Sequence, residues 1–205
     1  NLLSNVGIAS LVAYLLGSIP FGQLASRWRK IDIFQTGSQL SGAANVFQKT
    51  GHKLGVFVFF GDATKGIFAI IAAEQIGLSD IFLIFPASFV ILGHWGSIFA
   101  RFRGGDGLST LIGLMFYLSI PWSFPAITIA FGIALIGTRK RMSFPSLWGA
   151  IGAYIILGAL VFLNLIDISK FYILVFVAIA VLLHAIRSHK KHIIDHKIEP
   201  KRRLN

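Results

Sequence analysis

Arg101 and Arg103 lead into Gly104, Gly105 and Gly107 at the close of an apolar stretch that also holds His94. Glycines let backbone N–H groups converge on an anion, and guanidinium groups neutralise its charge. Residues 93–107 therefore have the makeup of a phosphate-handling loop laid at a membrane surface. Asp106 is out of place there, because a carboxylate repels the ligand such a loop would hold. An interfacial loop with snorkelling arginines is the competing reading.

Asp62 and Lys65 stand three residues apart within an apolar run, hence on one face of a helix. Charges at such depth pair with each other or face an aqueous cavity, and a purely structural ion pair explains the spacing equally well. His94 has the same two readings, a site residue or a hydrogen bond to a neighbouring helix. Residues 36–46 collect small, hydroxyl and amide side chains, among them Gly37, Ser38, Gly42 and Asn45, which suit a loop wrapped around a polar ligand. A flexible linker is the alternative, against which Ile31, Ile33, Phe34 and Leu40 predict packing on the membrane face. In residues 17–22 Pro20 lacks an N–H and Gly22 permits a turn, so the helix should open beside Ser18 and expose backbone groups. The stretch 187–196 is either a lipid-surface anchor or part of the site through Arg187 and His192.

These residues need a scaffold, and 55% hydrophobic residues in long uncharged runs make it a polytopic membrane protein of all-α class. Seven candidate spans fall at 3–24, 54–73, 81–99, 108–120, 122–137, 146–166 and 171–186, the fourth and fifth short and separated by Pro121. The first run is expected to be a retained helix and not a signal peptide, since no basic residues precede it. Alternate connections carry very different charge. One set holds Arg27, Arg29, Lys30, Lys49, Lys53, Arg101, Arg103, Arg139, Lys140, Arg141 and the basic tail, and the other only Lys170. The positive-inside rule then puts the N-terminus outside and the C-terminus in the cytoplasm. We expect one domain, 1–205, with a cytoplasmic loop at 27–53, a glycine-rich cytoplasmic loop at 100–107 and a basic cytoplasmic tail at 187–205. The net charge of +11 would draw anionic headgroups and anionic substrates to that face. Nucleic acid is disfavoured, because the basic residues lack interleaved aromatic platforms. The absence of cysteine removes disulfides and thiolate chemistry, and the six histidines form no metal-ligand pattern, so no metal is expected.

In this order, the segments resemble the bacterial acyl-phosphate:glycerol-3-phosphate acyltransferase family, from about Gly17 to Lys201. The family's GSIPFG stands intact at residues 17–22. Its GSGNxGATN is matched by Gly37-Ser38-Gln39-Leu40-Ser41-Gly42-Ala43-Ala44-Asn45, and its Asp-x-x-Lys-Gly by Asp62, Lys65 and Gly66. GHxFPxFxxFxGGKG is matched at His94, Phe99, Phe102, Gly104, Gly105 and Gly107, and a closing Glu-Pro-Lys at Glu199-Pro200-Lys201. The resemblance implies a seven-helix enzyme of the bacterial cytoplasmic membrane, its active face cytoplasmic. Its substrates would be acyl phosphate and glycerol 3-phosphate, its product lysophosphatidic acid, and it would use neither metal nor other cofactor. The resemblance further implies catalytic roles for Ser38, Asn45, Lys65 and His94. Ser18, Gly37, Gly42, Asp62, Arg101, Arg103, Gly104, Gly105, Gly107, Arg187 and His192 would contact substrate.

The departures fall where phosphates should bind. Asp106 replaces the lysine of GGKG, Leu40 the asparagine of GSGN, and Gln48 an arginine three residues beyond Asn45. In the tail Arg187 matches only with a shift, and His192 stands where asparagine is expected. Lys49, Lys53, Arg101 and Arg103 are candidates to compensate. The alternative is a diverged member with another acceptor, or a non-catalytic one acting as a lipid-binding or membrane-complex subunit.

Overall fold

The structure, a computed structural model, describes residues 1–140 and 145–202, and side chains at these positions other than 138, 145–147 and 189–202. Arg141 and the side chain of His192 fall outside that set. Among the described residues the chain is all-α: α1 (Leu2–Gly17), α2 (Phe21–Trp28), α3 (Ala43–Thr50), α4 (His52–Gln75), α5 (Ile84–Trp95), α6 (Leu108–Leu118), α7 (Ser123–Arg139), α8 (Pro145–Phe162) and α9 (Ile168–Arg202). Three helical stretches are long and apolar enough to cross a bilayer, Leu2–Trp28, His52–Gln75 and Ile168–Ser188. Shorter apolar helices cover Asp80–Trp95, Leu108–Leu118, Ser123–Gly137 and Trp148–Phe162.

The helices meet through small residues, as expected where lipid removes the hydrophobic drive for association and close backbone contact has to replace it. A methyl group on Gly17 would strike the backbone of Val90, and one on Gly93 the backbone of Tyr14 and Ser18, so α1 and α5 lie in direct backbone contact. Gly66 backs onto Thr110 and Leu114, and Gly113 onto Ala63, which does the same for α4 and α6. Gly149 under Ala130 joins α8 to α7. Between these contacts lies the main core, with Ala13, Ile70, Val90, Leu114, Leu157, Ile173 and Leu174 among its buried members.

These contacts also fix where α6 lies along α4. Its first turn meets α4 at Gly66, fourteen residues past the helix start at His52 and therefore about 21 Å along it. The far end of α6 reaches Glu74 through the Tyr117 hydroxyl, 2.5 Å from Oε2. The glycine turn before α6 is thus recessed into the bundle, and α6 accompanies only the second half of α4.

The connection between α2 and α3 is folded. Ile33 and Phe34 are buried with Ala25, Val46, Val58 and Ala100 in a second small core, as the sequence predicted for those two residues, while Ile31 and Leu40 are half-buried. Asp32 starts the turn at Ile33–Gln35 by accepting a hydrogen bond from the N–H of Phe34 at 3.0 Å.

Candidate active site

Pro20 opens the helix as expected. The carbonyl of Gly17 would normally accept from the N–H of Phe21, but Phe21 donates to Ile19 instead, at 3.1 Å. The freed Gly17 carbonyl accepts from Lys65 Nζ at 3.2 Å, and the Ser18 carbonyl accepts from the Ser97 hydroxyl. Ser18 itself is fully buried, and its hydroxyl has no hydrogen-bond partner among the described residues.

Asp62 and Lys65, one turn apart on α4, both face this opening. Lys65 Nζ lies 2.7 Å from Asp62 Oδ1 and 3.4 Å from His94 Nδ1, with the Phe21 ring centroid at 5.4 Å. Nδ1 of His94 is also 3.6 Å from Asp62 Oδ1 and 3.4 Å from the Thr110 hydroxyl. α1, α4, α5 and α6 therefore each contribute to one buried polar cluster. The ion pair satisfies the charges mutually, yet Asp62 Oδ2 and His94 Nε2 have no hydrogen-bond partner among the described residues. With the Ser18 hydroxyl, they make three buried polar atoms in these segments that lack a hydrogen-bond partner among the described residues. Native interiors hold few of these, and a functional site is a common reason.

His94 Nε2 is aimed at the glycine turn. A methyl group on Gly105 would collide with it, and Gly105 N–H returns a hydrogen bond to the His94 carbonyl at 3.2 Å. Gly104 packs on the backbone of His94 and Trp95. Its carbonyl accepts from the N–H of Ser41 at 3.0 Å, while Gly42 touches the position of the Gly105 side chain. The loop at 36–46 thus closes directly over the turn, and Gly22, which is helical in α2 and not at the turn the sequence suggested, allows it, since any side chain there would strike Ser41. Gly107 adopts a left-handed φ of 92° at the start of α6. Trp95 fixes the turn from below by donating from Nε1 to the Asp106 carbonyl at 3.0 Å, and its ring stacks on His184 of α9 at 4.3 Å.

Asn45 organises the overlying loop. Its Oδ1 accepts from the N–H of Ser38 at 3.2 Å, and its Nδ2 donates to the carbonyls of Leu40 at 2.8 Å and Thr36 at 2.9 Å, with Ile33 at 3.4 Å. Gly37 has a left-handed φ of 61° and lies against this amide. Of the four residues expected to be catalytic, Asn45, Lys65 and His94 are 5%, 3% and 4% exposed and spend polar atoms on the protein, whereas Ser38 is open to solvent. The Asp106 carboxylate caps α6 by accepting from the N–H of Leu108 at 3.0 Å and borders Gly42.

Not every expected residue joins the cluster. Arg101 and Arg103 are exposed and line a separate cleft, Arg103 lying over the Phe34 ring at 4.3 Å. Arg187 is exposed on α9, one turn past His184. Ser97, Thr110, Trp95 and His184 were missed by sequence reasoning. Their isolated hydroxyls and rings carry no spacing signal, because their partners come from other helices.

The sequence pattern of the glycerol-3-phosphate acyltransferase family matches residues 7–196. The chain is 38% identical to a glycerol-3-phosphate acyltransferase of Thermus thermophilus over 149 residues, which is 71% of this chain and 72% of that protein. To one of Aquifex aeolicus it is 35% identical over 148 residues, 72% and 76% of the two. Its structure is similar to the crystal structure of PlsY, an integral membrane glycerol 3-phosphate acyltransferase, in its glycerol 3-phosphate form. The TM-score is 0.74 at 28% identity, covering 93% of this chain and 92% of that one. For the lysophosphatidic acid form the TM-score is 0.71, at 26% identity and the same coverage.

Proposed function

This chain belongs to the glycerol-3-phosphate acyltransferase family, and on that premise we propose how its residues carry out the family reaction. The protein is a bacterial multi-pass membrane acyltransferase that uses acyl phosphate and glycerol 3-phosphate to make lysophosphatidic acid. The glycerol 1-hydroxyl oxygen attacks the acyl carbonyl carbon. The bond from that carbon to the phosphate oxygen then breaks, and phosphate leaves carrying the hydroxyl proton. Because the donor is already an activated anhydride, the work of the protein is to position two anions and to stabilise developing charge.

In this reading Ser38 faces the substrates, and the glycine turn, held by the Gly105 N–H on the His94 carbonyl and the Ser41 N–H on the Gly104 carbonyl, forms the wall behind them. Asp62, Lys65 and His94 act from behind, by holding the opened end of α1 and the glycine turn in one arrangement, and Asn45 does the same for the loop above. What supports it is that the buried cluster and the loop at 36–46 both close on one turn. The seven apolar stretches serve as seven crossings, with the turn, the loop and the basic tail on the cytoplasmic side. The charge asymmetry of the connections supports that orientation. Arg187 and His192 would close over the site from the tail.

The test is incubation of the protein, purified into liposomes, with acyl phosphate and glycerol 3-phosphate. Lysophosphatidic acid and inorganic phosphate are expected in equal amounts, and no product above a mock preparation would reject the reading. Asp106 favours a second reading, an altered acceptor or a non-catalytic lipid-binding or complex-forming role, because its negative charge stands at the turn. A gain of transfer in Asp106→Lys would show that the charge alone limits turnover. A product formed only with an uncharged polyol would identify the altered acceptor instead.

A further inference from the structure

Beside the glycine turn, and lined by none of the residues of the buried cluster, lies a cleft of about 410 Å³ between the end of α2 and the segment 99–103. Its walls carry Arg27, Lys30, Arg101 and Arg103 against the single carboxylate of Asp32. That carboxylate is occupied by its own turn, accepting from the N–H of Phe34. Among the described residues no ion pair joins any of the four cations to an acid, since the ion pairs there involve only Asp62, Lys65 and His94. Like charges gathered without countercharge repel one another, so such an arrangement is stabilised when an anion enters.

The backbone supports the same conclusion. Lys30 and Arg101, on opposite sides of the cleft, both hold left-handed conformations with φ of 56°, and Phe102 follows at 57°. Non-glycine residues in that region store strain, which persists where the surrounding structure fixes it and is concentrated at binding sites. Arg103 is immobilised on the Phe34 ring, which lowers the entropy it loses on gripping a ligand. The amide of Gln23 adds a neutral hydrogen-bonding group, and Ile31 and Phe99 give the cleft an apolar side. Trp28, Phe99 and Phe102 are 67%, 61% and 70% exposed, a rim suited to a bilayer interface.

We propose that this cleft is a binding site for a phosphate monoester, carried either on a membrane lipid or on a small soluble molecule, in addition to the reaction site at the glycine turn. Two arginines and a lysine can satisfy a dianion through charge-assisted and bidentate hydrogen bonds, with the fourth cation completing the grip.

The experiment measures binding without acyl donor, so its outcome is independent of whether the chain transfers acyl groups. In one arm, intact protein in nanodiscs is examined by native mass spectrometry for retained phosphatidic acid against phosphatidylcholine. In the other, glycerol 3-phosphate is titrated calorimetrically into protein in uncharged detergent, where two sites per chain are expected and the one lost in the cleft variant is the one assigned to the cleft. The variant is Arg27→Gln with Lys30→Gln, and the charge-matched control is Arg29→Gln with Arg139→Gln, two cations that do not line the cleft. Binding is expected to weaken about tenfold in the variant and to stay near wild type in the control. Loss in the first arm alone assigns a lipid headgroup, and loss in the second a soluble phosphomonoester. Equal loss in variant and control, or no loss in either arm, overturns the proposal.

Discussion

At Gly105 the turn and the histidine behind it compete for the same space, since a single methyl group would strike His94 Nε2. Gly105→Ala should therefore displace the turn by a fraction of its own thickness and lower lysophosphatidic acid formation about a hundredfold. The unfolding temperature should scarcely change, and the two measurements together separate misplacement from misfolding. Asn45 permits a similar separation. Asn45→Asp keeps the oxygen that accepts from Ser38 and removes the donor shared by the carbonyls of Thr36 and Leu40. The expected loss is about 2 kcal/mol, seen as faster limited proteolysis between residues 31 and 42. Unchanged cleavage would mean that the amide does not hold the loop. The spacing of Asp62 and Lys65 made one helical face readable in advance. The partnership of Lys65 with Gly17, and of His94 with Thr110, was not readable, because the partners stand on different helices.

α4 carries the pair through the middle of the bundle, and its stability depends on both members. Lys65→Met leaves a buried carboxylate without its cation and should cost about 3–5 kcal/mol, recorded as a lowered thermal transition in detergent. Adding Asp62→Asn removes the stranded charge and should return most of the loss. A double variant no more stable than the single one would show that the ion pair is not what holds α4. The apolar runs made the helices legible, and Pro20 the break between α1 and α2. The place of α6 against α4 followed from Gly66 and Gly113, whose role is to let two backbones touch, and hydropathy does not report that. Likewise, Ile33 and Phe34 showed that the loop before α3 packs, but the amide bonds of Asn45 that shape it depend on a residue twelve positions from Ile33.

Across the whole molecule, the orientation proposed above puts the basic connections on one face. Since the chain contains no cysteine, single substitutions report on sidedness without background. Lys49→Cys and Arg139→Cys should react with an impermeant maleimide only after the cells are opened, and Lys170→Cys in intact cells. The reverse pattern would invert the orientation drawn from charge. The stacking of Trp95 on His184 has its own consequence. The floor of the turn is laid by residues 95–107, but the ring that braces Trp95 belongs to α9, the last of the described helices. A turn built from residues 104–107 is thereby tied to a helix far along the chain, so that loosening α9 is expected to slacken the floor of the turn as well.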